Sequence, residues 1–269
     1  EIKLKLKAAD AEKLLLEVAR HLPVYCFAPA REITFISSVY FDTEDFLFYN
    51  RAKWFPHDNL KVRLKEYYYQ VSDGFEYFPH CWIEIKRRLN QSTIKSRFRI
   101  PKDLVAPLFA AEDIYDEIIL SNKRLKPDYI RRIYDEFLGV VRGRDLKAHS
   151  VTNYRRRTYQ DGNDESVRIT FDDMIAYFRA PAALFNGTKA LLRDGLGTPA
   201  GAQKNTVVEI KVARTKPDWL KELLRKHPQS NFSKFLTSTQ TLLTLPGGGL
   251  RPSPGGDGTW RDEGEGSED

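Results

Sequence analysis

Hydrophobic and charged residues alternate strictly in six stretches of the chain. They are residues 1–7 (EIKLKLK), 60–65 (LKVRLK), 82–87 (WIEIKR), 94–100 (IKSRFRI), 167–172 (VRITFD) and 208–212 (VEIKV). A period of two predicts strands, each with one apolar and one charged face. Elsewhere the period lengthens to that of a helix. Residues 10–21 carry Leu14, Leu15 and Val18 on one side, with Asp10 placed as an N-cap. Residues 128–138 carry Ile130, Ile133, Tyr134 and Phe137 at helical spacing, and residues 216–226 group Trp219, Leu220, Leu223 and Leu224 behind Pro217. Residues 101–111, opening on a proline, and 232–245, with Phe235, Leu236 and Leu242, complete the predicted helices. Residues 181–204, rich in Ala and Gly, predict a loop or mobile insertion.

An antiparallel sheet with one solvated face would account for any single strand of this kind. Solvated faces usually mix their signs, and these do not. Lys3, Lys5, Lys61, Arg63, Lys65, Lys86, Lys95, Arg97, Arg99, Arg168 and Lys211 stand against Glu1, Glu84, Glu209 and Asp172. A shared face this basic repels itself unless an anion occupies it. The expectation is an α+β chain whose sheet curls until the basic faces line a concave site. The helices then pack on the outward apolar faces.

Composition agrees with a globular reading. The chain has 269 residues, 41% hydrophobic and 12% aromatic, enough for a sizeable core and too apolar for a disordered chain. No apolar run nears the roughly 20 residues of a spanning helix. Charge is unevenly spread. Residues 246–269 hold six acids, two bases and eight of the sixteen glycines; their net −4 leaves +10 on residues 1–245, against +6 for the chain. This predicts a folded domain over 1–245 and a disordered, acidic, Gly- and Pro-rich tail over 246–269. The sequence opens on Glu1 rather than Met, which suggests a trimmed start, and shows no signal-peptide pattern, so the expected location is cytoplasmic.

Several chemistries lack their signatures. There is no GxxxxGK[ST] loop and no GxGxxG after a strand. His21, His57, His80, His149 and His227 are scattered without metal-ligand spacing, and Cys26 and Cys81 are too few for a disulfide framework and read as buried thiols. What remains is a wall of Lys and Arg with a few carboxylates. Those are the parts of phosphoryl transfer: cations to neutralise phosphate oxygens and an acid to hold a divalent metal.

Residues 36–43 (ISSVYFDT), followed by Tyr49 and Arg51, resemble the SS-x-YFD … Y … R segment of the vacuolar transporter chaperone (VTC) domain. The resemblance continues through the alternating segments, through 154–159 (YRRRTY) and through 231–235 (NFSKF), in family order, over roughly residues 1–243. It implies the fold of the triphosphate tunnel metalloenzymes, a closed antiparallel β-barrel with a basic lumen and helices outside. It also implies a polyphosphate polymerase that moves the γ-phosphoryl of ATP onto a growing inorganic polyphosphate chain, using Mn²⁺ or Mg²⁺. By the same resemblance Lys3 or Lys5 contacts the nucleotide phosphates, and Arg63 and Lys65 form a basic pair, with Lys65 standing in for an Arg. Lys86, Lys95, Arg156 and Arg168 are further phosphate ligands, Ser233 and Lys234 a phosphate-contacting pair, and Glu209 the metal carboxylate. Asn231 departs from the family, whose eukaryotic members have a second lysine there. Lys211, beside Glu209 on the same wall, is a further phosphate-binding candidate. Arg97 and Arg99 fit either the lumen or its rim. Glu84 and Glu1 are metal candidates for which an ion pair with a neighbouring base is the competing role. Relief of repulsion leads to the expectation that Ala at Arg63, Arg156 or Arg168 leaves the unliganded fold at least as stable as before.

Two alternatives remain at this point. A tripolyphosphate or nucleoside triphosphate hydrolase of the same fold normally shows an ExExK first strand; here Lys3 stands where the second Glu would be. A non-catalytic binder of polyphosphate or RNA would use aromatic platforms. Tyr67, Tyr68 and Tyr69 are candidates, but three successive strand residues cannot share a face. The partners expected are ATP, polyphosphate, pyrophosphate or triphosphate, and not DNA. VTC domains also occur in membrane complexes, which makes membrane-associated subunits a further expected partner.

Overall fold

The computed structural model describes the chain except residues 91, 163–165, 183, 185–190 and 246–269. The acidic tail and part of the 181–204 segment therefore lie outside the described residues. Ten strands form one antiparallel sheet: β1 (Ile2–Leu6), β2 (Ile33–Asp42), β3 (Asp58–Val71), β4 (Gly74–Tyr77), β5 (His80–Leu89), β6 (Ser92–Pro101), β7 (Lys147–Gln160), β8 (Val167–Arg179), β9 (Gly201–Ala202) and β10 (Thr206–Val212). Their order is β1-β10-β8-β7-β2-β3-β5-β6, with β4 added to β3 and β9 to β8.

The expected barrel does not close. Among the described residues no ladder joins the edge strands β1 and β6. The physical reason lies in what each edge already holds. The Ser230 N–H donates to the Lys3 carbonyl at 2.8 Å, and Leu4 bridges Gln229, so the free side of β1 is engaged by the segment before the last helix. On β6, Asn122 Oδ1 accepts the Arg99 N–H at 2.9 Å and Asn122 Nδ2 donates to the Arg99 carbonyl at 2.8 Å. Backbone groups engaged in this way are not free to pair across the gap. The two sides of the sheet meet through side chains instead: the Glu1 carboxylate lies 3.9 Å from Lys86 Nζ on β5.

Among the described residues seven helices accompany the sheet: α1 (Ala8–Ala19), α2 (Leu47–Trp54), α3 (Val105–Phe109), α4 (Tyr115–Ser121), α5 (Pro127–Val141), α6 (Asp218–Arg225) and α7 (Lys234–Leu243). The apolar face of β3, β5 and β6 (Val62, Leu64, Ile83, Ile85, Phe98) joins one core with α2, α3, α4 and α5. Helix α5 contributes Ile130, Ile133, Phe137 and Val141, an i, i+3, i+7, i+11 stripe behind Pro127 in its first turn. Leu4, Leu6, Ile169, Phe171, Val208 and Ile210 form a second core under α1 and α6. Helix α7 lies across the charged face: Phe235 packs on Tyr40 at 5.2 Å between ring centroids, and Ser238 Oγ is 3.0 Å from Ser150 Oγ. It covers one end of that face and turns its N-terminus toward the rest.

Boundaries shift in instructive ways. Helix α1 starts at Ala8 after Lys7, so Asp10 sits in the first turn instead of at the cap. The segment 101–111 splits: Pro101 ends β6, a 3-10 turn covers Lys102–Leu104, and α3 is short. Within 181–204, the Leu191 N–H donates to Glu66 at 2.8 Å, a 3-10 turn spans Arg193–Leu196 and β9 pairs with β8. Cys81 is buried, but Cys26 is only partly so. Between β7 and β8 the register shifts, so that Met174 and Ile175 oppose Tyr154, with Met174 at φ 52°. The bulge turns Asp172 and Ile175 to one face and leaves Met174 exposed.

Helix α2 was not predicted, because LFYNRAKW has no apolar stripe. Its order comes from Asp42. This buried carboxylate accepts the N–H groups of Thr43, Phe48 and Tyr49 at 2.9, 2.8 and 2.8 Å. The Asp within ISSVYFDT thus caps the first turn of α2. Asp42→Ala would orphan these amides, at a cost of about 2 kcal/mol or more. The expected result is a lowered denaturation midpoint with an unchanged slope; a midpoint equal to wild type would remove the cap assignment.

Candidate active site

The inner faces of eight strands, all but β2 bearing charged residues, enclose a cavity of about 450 Å³. Alternation in β3 delivers Lys61, Arg63 and Lys65 to its wall; β5 delivers Lys86, β6 Lys95 and Arg97, and β1 Lys3. From the other half come Arg156 on β7, Arg168 on β8, Lys211 on β10 and Lys234 at the start of α7. Among the described residues, eleven Lys and Arg line the cavity against three acids, Glu1, Glu84 and Glu209. Lys5, Arg99 and Asn231 are not part of the wall. Arg97 lies at the rim, its guanidinium 4.6 Å from the centre of the Trp82 ring. Ser233 lines the cavity while its hydroxyl caps α7 by accepting the Leu236 N–H at 3.4 Å.

The cations fall into two groups. The first is tied to buried acids. Glu84, 2% exposed, accepts Arg63 Nε at 2.8 Å and Nη2 at 2.5 Å, with Arg97 Nη1 3.8 Å away. Burial alone would raise the Glu84 pKa, but Arg63, Lys65 and Lys95 outweigh it and hold the group ionised. Asp172, fully buried on β8, accepts Arg156 Nε at 2.6 Å on Oδ1, with Arg156 Nη2 at 2.7 Å and Lys234 Nζ at 2.6 Å on Oδ2. Sequence reasoning placed Asp172 on the basic face but gave it no role. The signal was present: Arg168, Thr170 and Asp172 alternate on one strand, and register sets Asp172 opposite Arg156. Among the described residues no carboxylate forms an ion pair with Lys65. Burial works against its charge, yet Tyr154, Tyr67 and Glu84 together raise its pKa. Tyr154 is correspondingly lowered: burial opposes ionisation, but Lys65, Arg156 and Lys234 prevail.

In the second group burial outweighs any neighbouring acid. Lys61, half-buried against Phe235, is pushed down to about 7 by burial and then by Lys86, Lys3, Arg63 and Arg88. Lys95 is pushed down to about 8, chiefly by burial. Lys86 is lowered by burial despite Glu1 nearby.

Glu1 and Glu209 sit together. Lys211 Nζ lies 3.6 Å from Glu1 Oε2 and 3.9 Å from Glu209 Oε1, and Lys3 Nζ is 3.2 Å from Glu1 Oε1. Burial tends to raise the Glu1 pKa, but a hydrogen bond with Glu209 and the charges of Lys86, Lys3 and Lys211 bring it well below the ordinary range. Two carboxylates side by side are a hard oxygen pair suited to Mg²⁺ or Mn²⁺. Among the described residues no cluster of three His, Cys, Asp or Glu occurs. A cation here would take its remaining ligands from water or phosphate. Glu84 is less suited, because Arg63 occupies it.

A family profile described as the VTC domain matches residues 1–243. "Vacuolar transporter chaperone complex subunit 4" of Schizosaccharomyces pombe is 23% identical over 259 residues, covering 87% of this chain and 36% of that protein. The protein of the same name from Trypanosoma brucei brucei is 23% identical over 266 residues, covering 88% and 33%. The chain thus spans about a third of the length of the curated relatives it matches. A putative adenylate cyclase from Vibrio parahaemolyticus, a solved structure, aligns with a TM-score of 0.38 and 10% identity over 87% of this chain and 94% of that one. That degree of likeness establishes neither fold nor activity. No described helix is long and apolar enough to cross a membrane.

The pairings argue against the expectation that Arg63 or Arg156 can be removed without cost. Arg63→Ala would strand Glu84, and Arg156→Ala would strand Asp172. Breaking a buried pair in this way costs about 3 kcal/mol. Lys61→Met should act oppositely. With a folded-state pKa near 7 against 10.5 unfolded, Lys61 in the folded state binds fewer protons than the unfolded chain between those values. Its contribution therefore rises with pH across that window and is unfavourable below it. Urea denaturation at pH 6 and pH 9.5 should show Lys61→Met more stable than wild type, by a margin that shrinks at the higher pH. A margin independent of pH would contradict the assignment.

Proposed function

The chain belongs to the VTC domain family, and from that membership and the charge of the cavity we propose that it is a divalent-metal-dependent polyphosphate polymerase acting on ATP. The observation that carries this reading is the excess of eleven cations over three glutamates around one cavity. Two buried carboxylates, Glu84 and Asp172, hold part of that wall in place. Such a wall suits a ligand that carries about one negative charge per phosphate unit, each able to accept charge-assisted hydrogen bonds.

In the proposed reaction the terminal oxygen of a polyphosphate chain attacks the γ-phosphorus of ATP. A P–O–P bond forms, the bond to the β-phosphate oxygen breaks, and ADP leaves with the electron pair. The attacking oxygen is already ionised at neutral pH, so no general base is needed. The work of the protein is positioning and charge stabilisation. Arg156 and Lys234 keep N–H donors beyond those given to Asp172, and Arg63 keeps donors beyond those given to Glu84. The N-terminus of α7 opens on the cavity at Ser233 and Lys234, where its dipole favours phosphate. Lys61, Lys86 and Lys95, whose charge burial disfavours, would gain charge stabilisation when an anion arrives. Glu209, with Glu1 beside it, would hold Mn²⁺ or Mg²⁺, which when bound neutralises phosphate oxygens.

A hydrolase is the second reading, and the adjacency of Glu1 and Glu209 favours it. Incubation with ATP and Mn²⁺, resolved on a gel, separates the two. Polyphosphate ladders are expected; free phosphate alone would replace the polymerase reading with the hydrolase. Glu209→Gln keeps the shape of the side chain and removes its charge. It should abolish metal-dependent turnover while the variant stays folded, and unchanged activity at saturating Mn²⁺ would sink the metal assignment.

A further inference from the structure

Asp172 is a fully buried carboxylate that does not itself line the cavity. Its two oxygens serve two cations on separate elements. Arg156, directly across the β7–β8 ladder, donates in parallel to both oxygens, and Lys234 donates from the first residue of α7. The bidentate contact fixes the plane of the guanidinium as well as its place. The ammonium of Lys234 is otherwise poorly placed, because a helix N-terminus is already positive. Asp172 supplies the counter-charge that keeps it there. On their other side both cations face the cavity.

We propose that Asp172 is a positioning residue of this site, holding Arg156 and Lys234 as one oriented phosphate clamp and fixing the N-terminus of α7 over the cavity. The proposal rests on the polymerase reading above. Asp172 makes no contact with substrate and acts through the two cations. A residue that merely balanced charge would behave differently. Its loss would leave the wall more positive, tighten anion binding and spare turnover. A residue that merely held the fold would lower stability, binding and turnover together.

The test uses the full chain as wild type, Asp172→Asn and Asp172→Glu. Inorganic triphosphate binding is read by titration calorimetry, turnover with ATP and Mn²⁺ by polyphosphate formation, and folding by thermal melting. Asp172→Asn should lower kcat roughly ten- to hundredfold, as misplaced catalytic groups do. Its triphosphate Kd should stay within about threefold of wild type or become tighter. Asp172→Glu keeps the charge and should recover part of the lost kcat. A folded Asn variant with kcat within twofold of wild type overturns the proposal, as does a proportional loss of affinity and turnover. If Asp172→Asn does not fold, Asp172→Glu decides: reduced kcat with retained affinity supports positioning, and wild-type kcat refutes it. If neither variant folds, Asp172 is a structural residue and the proposal is wrong. Absence of turnover in the wild-type protein is failure of the polymerase reading, and it takes this proposal with it; a selective effect missing from an active wild type is failure of this proposal alone.

Discussion

Like-charge repulsion across one concave face is the constraint on which the rest of this structure depends. Eleven Lys and Arg share a cavity of about 450 Å³. Without compensation such a face would splay the sheet. Two buried acids prevent this, each at a strand pairing: Glu84 opposite Arg63, and Asp172 opposite Arg156. Taking carboxylates out of water is costly, and it is tolerated only because each is hydrogen-bonded by at least one guanidinium in good geometry. The cations left over, Lys61 and Lys95 foremost, lose proton affinity instead. The unliganded protein therefore retains electrostatic strain that an anionic ligand would relieve.

The same charge pattern shapes the architecture. The apolar faces of the strands turn outward and are covered by helices in two separate cores. The charged faces turn inward, and α7 covers one end of them. The sheet stays open because its two edges are already engaged, β1 by Gln229 and Ser230 and β6 by Asn122. A side-chain contact between Glu1 and Lys86 spans the gap that a closed barrel would fill with backbone hydrogen bonds. The segment that engages β1 leads directly into α7, so the open edge and the helix cover share one piece of chain.

Much of this was legible in the sequence wherever one face is wet and the other dry. Residues 60–65, 82–87, 94–100, 167–172 and 208–212 all lie in strands of the sheet. Their basic positions meet at one cavity, save Arg87 and Arg99. Strand β2 gave no period because both of its faces are buried: Ser37, Val39 and Phe41 lie on the outer side, and Ile36 and Tyr40 lie against the cavity. Helix α2 was hidden for a related reason: its order comes from Asp42 beneath it and not from an apolar stripe. Closure was misjudged because the contacts that occupy the edges come from a loop and one asparagine side chain, which no periodicity reveals. The role of Asp172 needed register. Alternation shows the face it points to, but only the pairing with Arg156 shows what it holds.

The central claim is that the wall carries unsatisfied positive charge that a phosphate polymer completes. Proton uptake on binding tests it most directly. Long-chain inorganic polyphosphate, whose interior units stay ionised at pH 8, can be titrated into the protein by calorimetry in buffers of different ionisation heat. With Lys61 held near 7 and Lys95 near 8 in the unliganded state, binding should draw protons from the buffer as these groups recharge. Lys61→Met should take up fewer. Binding with no proton uptake, or with proton release, would contradict the account.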